Sequence, residues 1–287
     1  MKTVVRATLA GIKNWLAEEP LQEELALPFD NHYPRLRRVF QQITQVCNRK
    51  PYAWGVVQGL ALANALGYPR VSVIEFGVAG GAGLLALEQI AAEAEKIVGL
   101  GIDVYGFDTG EGLPKPEDYR DLPYMWEEGY FAMDVDKLRA RLQRARLILG
   151  RVEETVPEFV RSSFAPVAFV SIDLDLYTGT KHALKLLEAS PDALLPRLPY
   201  YFDDIMGQGY CDYTGERLAI HEFNSEHAMR KIAPHYGLKF FVPQHNINDI
   251  WVECIYYAHI FDHPLYGARA HVDRDNQLDL HGQWQRK

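Results

Sequence analysis

The spacing of apolar positions changes near residue 70. Before it, Leu36, Val39, Phe40, Ile43, Val46 and Cys47 recur at intervals of three and four, one face of an amphipathic helix. Pro51 can open a second helix, and Gly67 can close it after Leu66. No strand candidate occurs before Val71. From there, short apolar runs rich in β-branched and aromatic residues alternate with helical stretches. The runs are Val71–Phe76, Val104–Phe107, Arg146–Leu149, Val167–Ile172 and Tyr200–Phe202. Helical patterns cover Leu84 to about Val98, Val135 to Arg144 and Lys181 to Glu188. Such alternation predicts βαβ units and a parallel sheet covered on both faces. Two last runs, Lys239–Val242 and Ile250–Tyr257, flank a polar turn around Asn246 to Asp249 and predict a closing hairpin.

This pattern divides the chain into a helical extension (residues 1–70), an α/β domain (71–260) and a tail (261–287). A chain of 287 residues suffices for one large α/β domain. Leu113 to Met133 fits neither period. It holds Pro114, Pro116 and Pro123 with Tyr119, Tyr124, Trp126, Tyr130 and Phe131, and it follows a strand end. Loops there carry function in α/β sheets, so it reads as a substrate-side lid. The helical first 70 residues are candidates for a dimer surface, hence a homo-oligomer, or for a cover over the active site.

Charge narrows the function. A formal net charge of −8 argues against a nucleic-acid partner held through phosphates. The basic run Lys137, Arg139, Arg141, Arg144, Arg146 and Arg151 reads as a solvated helix face. Arg6 and Lys13 interrupt any secretion-type apolar core, and no stretch approaches the length of a membrane span. Cys47, Cys211 and Cys254 are odd in number and far apart, which fits neither a disulfide framework nor zinc. A cytoplasmic protein with no membrane partner is the expectation.

The candidate chemistry lies at the predicted strand ends. Val73-Ile-Glu-Phe-Gly-Val-Ala-Gly-Gly-Ala-Gly83 runs from a strand through a glycine turn into a helix. Its missing Cβ atoms and free N–H groups let a ligand approach the backbone. Gly77, Gly80, Gly81 and Gly83 do not form the G-x-G-x-x-G of a dinucleotide site. Glu75 would repel a pyrophosphate but suits a ligand carrying an ammonium and a sulfonium. Asp108, followed by Thr109, ends the second strand, where an acid can accept hydrogen bonds from both hydroxyls of a ribose. The stretch Leu149 to Pro157, with Glu153, could border an adenine. Asp173 ends the fourth strand, and Asp203 and Asp204 end the fifth. Three carboxylates gathered there repel one another unless a cation or protons intervene. Oxygen ligands without clustered Cys or His indicate a hard cation, magnesium first. Asp175, His182 at the start of the next helix, and His221 after the Asp pair are candidate general bases.

Taken together these stretches resemble the macrocin O-methyltransferase family, class I enzymes that use S-adenosylmethionine to methylate sugar hydroxyls on natural products. The resemblance spans about residues 50 to 255. It rests on the turn Glu75-x-Gly77-Val78-x-Gly80-Gly81, on Asp108 with Gly112-Leu113-Pro114, on Asp173-x-Asp175-x-Tyr177-x-x-Thr180, and on Asp203-Asp204. Ala219-Ile-His-Glu-Phe223 is similar to a helix found there. It implies a Rossmann-like, mostly parallel seven-stranded sheet of order 3-2-1-4-5-7-6 with the last strand antiparallel. It also implies a donor site drawn from Glu75, Gly77, Val78, Gly80, Gly81, Asp108, Thr109, Glu153 and Asp173, a magnesium ion on Asp173, Asp203 and Asp204, and a small-molecule hydroxyl acceptor. The sequence departs from the family at Pro196-Arg-Leu-Pro199 and in an expanded Met206–Glu216 segment, both bordering the acceptor side. Leu176 stands where catechol-type magnesium methyltransferases carry a lysine. The alternatives are an NAD-dependent oxidoreductase, disfavoured by Glu75 and the missing dinucleotide motif, and a non-catalytic nucleotide-binding protein.

Overall fold

The computed structural model describes residues 34–240, 242 and 249–268. Two helices come first, α1 (Pro34–Val46) and α2 (Lys50–Ala65), with Pro51 in the first turn of α2. β1 (Arg70–Phe76) leads into α3 (Ala82–Val98), and β2 (Gly101–Asp108) into the long connection that ends at α4 (Val135–Arg139). β3 (Arg146–Leu149), α5 (Val152–Arg161), β4 (Val167–Ile172), α6 (Tyr177–Ala183) and β5 (Arg197–Phe202) follow. α7 (Gly215–Glu226), β6 (Arg230–Pro234) and β7 (Ile255–Ile260) complete the order.

The seven strands form one sheet in the order β3-β2-β1-β4-β5-β7-β6. β1 pairs in parallel with β2 and β4, and β7 runs antiparallel to both β5 and β6. This is the Rossmann-like architecture that the resemblance implies. β4 is buried from end to end and β1 at every residue after Arg70, as a sheet covered on both faces requires. α2 packs against β4, β5 and α3, and α1 packs against α2 and α3. Val39, Phe40, Ile43, Tyr52, Val56 and Leu60 are buried in the same core as the sheet. The described helices before residue 70 therefore form a layer of the α/β unit. No described helix is long and apolar enough to cross a membrane.

Of the boundaries that differ from expectation, three have an identifiable reason. β5 begins at Arg197, ahead of Pro199, because its first residues pair with β7 alone. Pairing with β4 starts only at Tyr200, so the missing proline N–H breaks no ladder there. The helix expected to reach Arg144 stops at Arg139. The backbone N–H groups of Gln143, Arg144 and Ala145 turn instead to the carboxylate of Glu88 on α3. The sixth strand is Arg230–Pro234, not Lys239–Val242. Leu238–Phe240 is a 3-10 turn with Lys239 and Phe240 exposed, and most of the expected turn at 246–249 lies outside the described residues. β6 sits at the sheet edge, and the Asn224 side chain satisfies the free backbone of Ile232 through bonds of 2.7 and 2.8 Å. That capping lets a polar segment serve as an edge strand.

Candidate functional site

The carboxyl ends of β1, β2, β4 and β5 border a cavity of about 500 Å³, within the range of small-molecule sites. At its floor lies the glycine turn. Gly77 has φ +86°, and a Cβ there would lie 1.7 Å from the carbonyl oxygen of Asp173. A Cβ on Gly83 would lie 1.8 Å from Glu75 Oε1. Both glycines are required by close approach, which is why the turn can bring strand ends and helix N-terminus together.

Glu75 is 1% exposed. Its Oε1 accepts from the Tyr52 hydroxyl at 2.5 Å, and its Oε2 is buried without a partner. Burial pushes its carboxyl up to about 8, against the lowering effects of Tyr52 and Arg49. Asp108 Oδ2 accepts from the backbone N–H groups of Val78 and Ala79, both at 2.8 Å, and Oδ1 from that of Gly110 at 2.7 Å. The acid at the second strand end thus clamps the glycine turn, and any ribose contact shares these oxygens with three backbone donors. Thr109 hydrogen-bonds Gly112, which shapes the start of the long connection. Glu153 pairs with Arg151, and both line the cavity together with Val78, Gly80, Asp108 and Thr109. Gly81, the left-handed N-cap of α3, is not among the lining residues.

Beside the turn three carboxylates converge. Asp173, Asp175 and Asp204 each offer an oxygen within 4.8 Å of the others. Asp175 adopts φ +61°, a left-handed conformation that a non-glycine residue holds at a cost of about 1 kcal/mol. Its N–H donates to Asp204 Oδ2 at 3.1 Å, while Tyr210 donates to Asp204 Oδ1 at 2.8 Å. Burial first, then the neighbouring carboxylates, raises Asp173 to about 7 and Asp175 to about 8. Burial also raises Asp204, to about 6, although the Tyr210 bond opposes it. Glu216, fully buried, accepts from the Asp204 N–H at 3.0 Å. Oxygen donors on buried, mutually repelling acids fit a hard divalent cation.

The third converging acid is Asp175. Asp203 is exposed and accepts from the Tyr201 hydroxyl. It lines the cavity without joining the three. Neither expected histidine reaches the cavity. His182 lies near the end of α6, with Nδ1 buried and unpartnered, and His221 is exposed on α7.

The long connection over the cavity is held at both ends. Leu113 exchanges backbone hydrogen bonds with Gly129 and Tyr130, and Trp126 and Phe131 face the cavity at a ring separation of 6.1 Å. Asp121, 1% exposed, accepts from Glu117 N–H and from Thr178 in the first turn of α6. Asp121, Glu216, Tyr210, Arg49 and Tyr52 escaped the sequence reading. Each is an ordinary polar residue on an element that only the fold brings to the site. Arg49, two residues before the helix-opening Pro51, carried no more signal than a flanking charge.

No protein-family model matches the chain, and no curated protein matches it. Among solved structures, the O-methyltransferase NovP is similar over 66% of this chain and 72% of its own, at 17% identity and a TM-score of 0.45. The calicheamicin methyltransferase CalS11 is similar over 76% of this chain and 96% of its own, at 22% identity and a TM-score of 0.46. The O-methyltransferase from Bacillus cereus, in complex with SAH, is similar over 89% and 90%, at 13% identity and a TM-score of 0.40. None of these likenesses reaches a TM-score of 0.5, so the reading of the site rests on its own residues.

Proposed function

We propose that the chain is an S-adenosylmethionine-dependent O-methyltransferase acting on a hydroxyl of a small molecule, a sugar or another natural-product moiety. The observation that carries this reading is one cavity holding two distinct acidic features. One is a buried Glu75 with a free oxygen beside a glycine turn, and the other is the Asp173, Asp175, Asp204 cluster. A buried carboxylate beside the turn opposes a pyrophosphate and favours a cationic ligand end, which supports the sulfonium donor over a nicotinamide dinucleotide.

In this mechanism the turn and Glu75 would hold the donor, which supplies the methyl group, in the cavity that the aspartates also line. A divalent cation held by Asp173, Asp175 and Asp204 would supply Lewis acidity toward the acceptor oxygen. Of the candidate bases only Asp175 lines the cavity, and a carboxylate oxygen of it not engaged by the cation would take the acceptor's proton. Trp126, Phe131 and Leu113 exclude water above the reacting groups, and in-line displacement then depends mainly on positioning.

Calorimetric titration with S-adenosylmethionine, with magnesium and then with chelator, tests the donor. Micromolar one-to-one binding supports the reading; its absence under both conditions sinks it. With a hydroxyl acceptor in hand, Asp173→Asn should lower turnover at least ~100-fold while donor affinity stays within about threefold. Full activity in that variant would remove the carboxylate cluster from the mechanism.

A further inference from the structure

Met206–Glu216, the expanded segment between β5 and α7, touches both the acid cluster and the aromatic connection. Gly207 takes φ +144°, and a Cβ there would lie 3.1 Å from the Tyr210 ring, so glycine leaves room for the ring to fold back beside it. From that position the Tyr210 hydroxyl donates to Asp204 Oδ1 at 2.8 Å. One residue earlier, the Gly209 carbonyl accepts from the hydroxyl of Tyr124 at 2.6 Å, across 85 residues of chain. A Cβ on Gly209 would lie 2.9 Å from Met125 Sδ, so the connection packs directly on this backbone. Two consecutive residues, Gly209 and Tyr210, thus bind the connection and the cluster respectively.

Asp204 is held at three points. Tyr210 donates to Oδ1, the Asp175 N–H donates to Oδ2 at 3.1 Å, and the Asp204 N–H donates to Glu216 Oε2 at 3.0 Å. Two of these partners, Tyr210 and Glu216, belong to the segment. A carboxylate oxygen has two lone pairs, so one that accepts a single hydrogen bond can still face a cation. Hydrogen bonds of this kind fix the orientation of a ligating carboxylate, and losing one typically weakens metal affinity about 10–100-fold.

We propose that Tyr210 is a positioning residue that sets the Asp204 carboxylate for a divalent cation and couples occupancy of that site to the order of the Leu113–Met133 connection. The inference rests on the cation reading above and deepens it. A cation drawing on Asp204 favours the arrangement of the segment in which the Tyr210 bond is made, and that arrangement presents the Gly209 carbonyl to Tyr124. The coupling is reciprocal, because the factor by which the cation orders the connection is the factor by which the ordered connection tightens the cation. The aromatic cover over the cavity then tightens when the cluster is loaded, which excludes water when the Lewis acid is in place.

The test is calorimetric magnesium binding, together with hydrogen exchange of residues 113–133 with and without saturating magnesium, on the wild-type protein, Tyr210→Phe and Tyr124→Phe. Tyr210→Phe keeps the ring and removes one oxygen. It should weaken magnesium at least about tenfold. At saturating magnesium it should also lack the slowing of exchange, about threefold or more, expected of the wild-type protein. Tyr124→Phe leaves the Asp204 bond in place, so it should bind magnesium within about threefold of wild type and lose the slowing. Tyr210→Phe with magnesium affinity within about twofold of wild type overturns the inference. Wild-type protein that binds magnesium without slowed exchange, or equal slowing in all three proteins, overturns it too. Should Tyr210→Phe fail to fold, Tyr124→Phe decides: slowing lost with magnesium still bound supports the inference, and slowing retained overturns it. Wild-type protein that binds no magnesium removes the cation reading and this inference together, whereas wild-type binding with an unaffected Tyr210→Phe removes the inference alone.

Discussion

Asp121 accepts hydrogen bonds from both the backbone N–H and the hydroxyl of Thr178, at 2.8 and 2.9 Å, although the two are 57 residues apart. The carboxylate caps the first turn of α6 from outside that helix and fastens the aromatic connection over the cavity next to Asp175. Asp121→Ala strands the Thr178 N–H and frees the connection. The expected cost is about 1–3 kcal/mol, read as a lowered urea midpoint with an unchanged m-value. Limited proteolysis should also cut faster within residues 113–133. An unchanged midpoint and unchanged cleavage would show that the bond holds nothing in place.

The composition of the acid cluster is open to a direct contrast. Asp175 and Asp204 belong to the converging set, whereas Asp203 is turned toward Tyr201. Magnesium at a hundred times its dissociation constant should stabilise the wild-type protein by about 2.7 kcal/mol, or roughly 5–10 °C for a chain of this size. Asp203→Asn should keep most of that shift, and Asp175→Asn and Asp204→Asn should lose it. The opposite ranking would restore Asp203 as the ligand in place of Asp175.

On the proposed donor reading, Glu75 would link donor binding to pH. Its carboxyl is raised to about 8 in the donor-free protein and must ionise to pair with an ammonium. Binding near pH 7 should therefore release close to one proton, and affinity should tighten as pH rises toward about 8. Titrations at pH 7 in buffers of different ionisation enthalpy measure the release directly, and no net proton release would contradict a carboxylate–ammonium pair at Glu75. The same shift acts on folding. A carboxyl raised above its unfolded value contributes stability fully below about pH 4.5, and that contribution is lost as pH rises through about 8.

Glu88 gives a stability test away from the cavity. Its buried carboxylate collects the N–H groups of three successive residues, Gln143, Arg144 and Ala145, just before β3. Glu88→Ala leaves those donors without their acceptor, and a loss of about 2–4 kcal/mol in denaturant unfolding is expected. Glu88→Gln, which keeps an acceptor oxygen, should recover part of it.

Sequence alone determined the parts of this protein that depend on local period and on backbone chemistry. Short apolar runs ending at Phe76 or just before Asp108, Asp173 and Asp203 marked the parallel strands, since near-continuous apolar runs suit strands covered on both faces. The glycines after Glu75 marked the turn, because no other residue tolerates that approach to Asp173. Tertiary structure decided the rest. A strand such as Arg230–Pro234 exists because β7 pairs with it and Asn224 caps its edge, not because its own residues alternate. Asp175 rather than Asp203 joins the cluster because a left-handed backbone at Asp175 turns one carboxylate inward while Tyr201 holds the other. Arg49 and Tyr52 meet Glu75 only because α2 packs across the sheet. These relationships join residues far apart in the chain, and no periodicity within one segment can encode them.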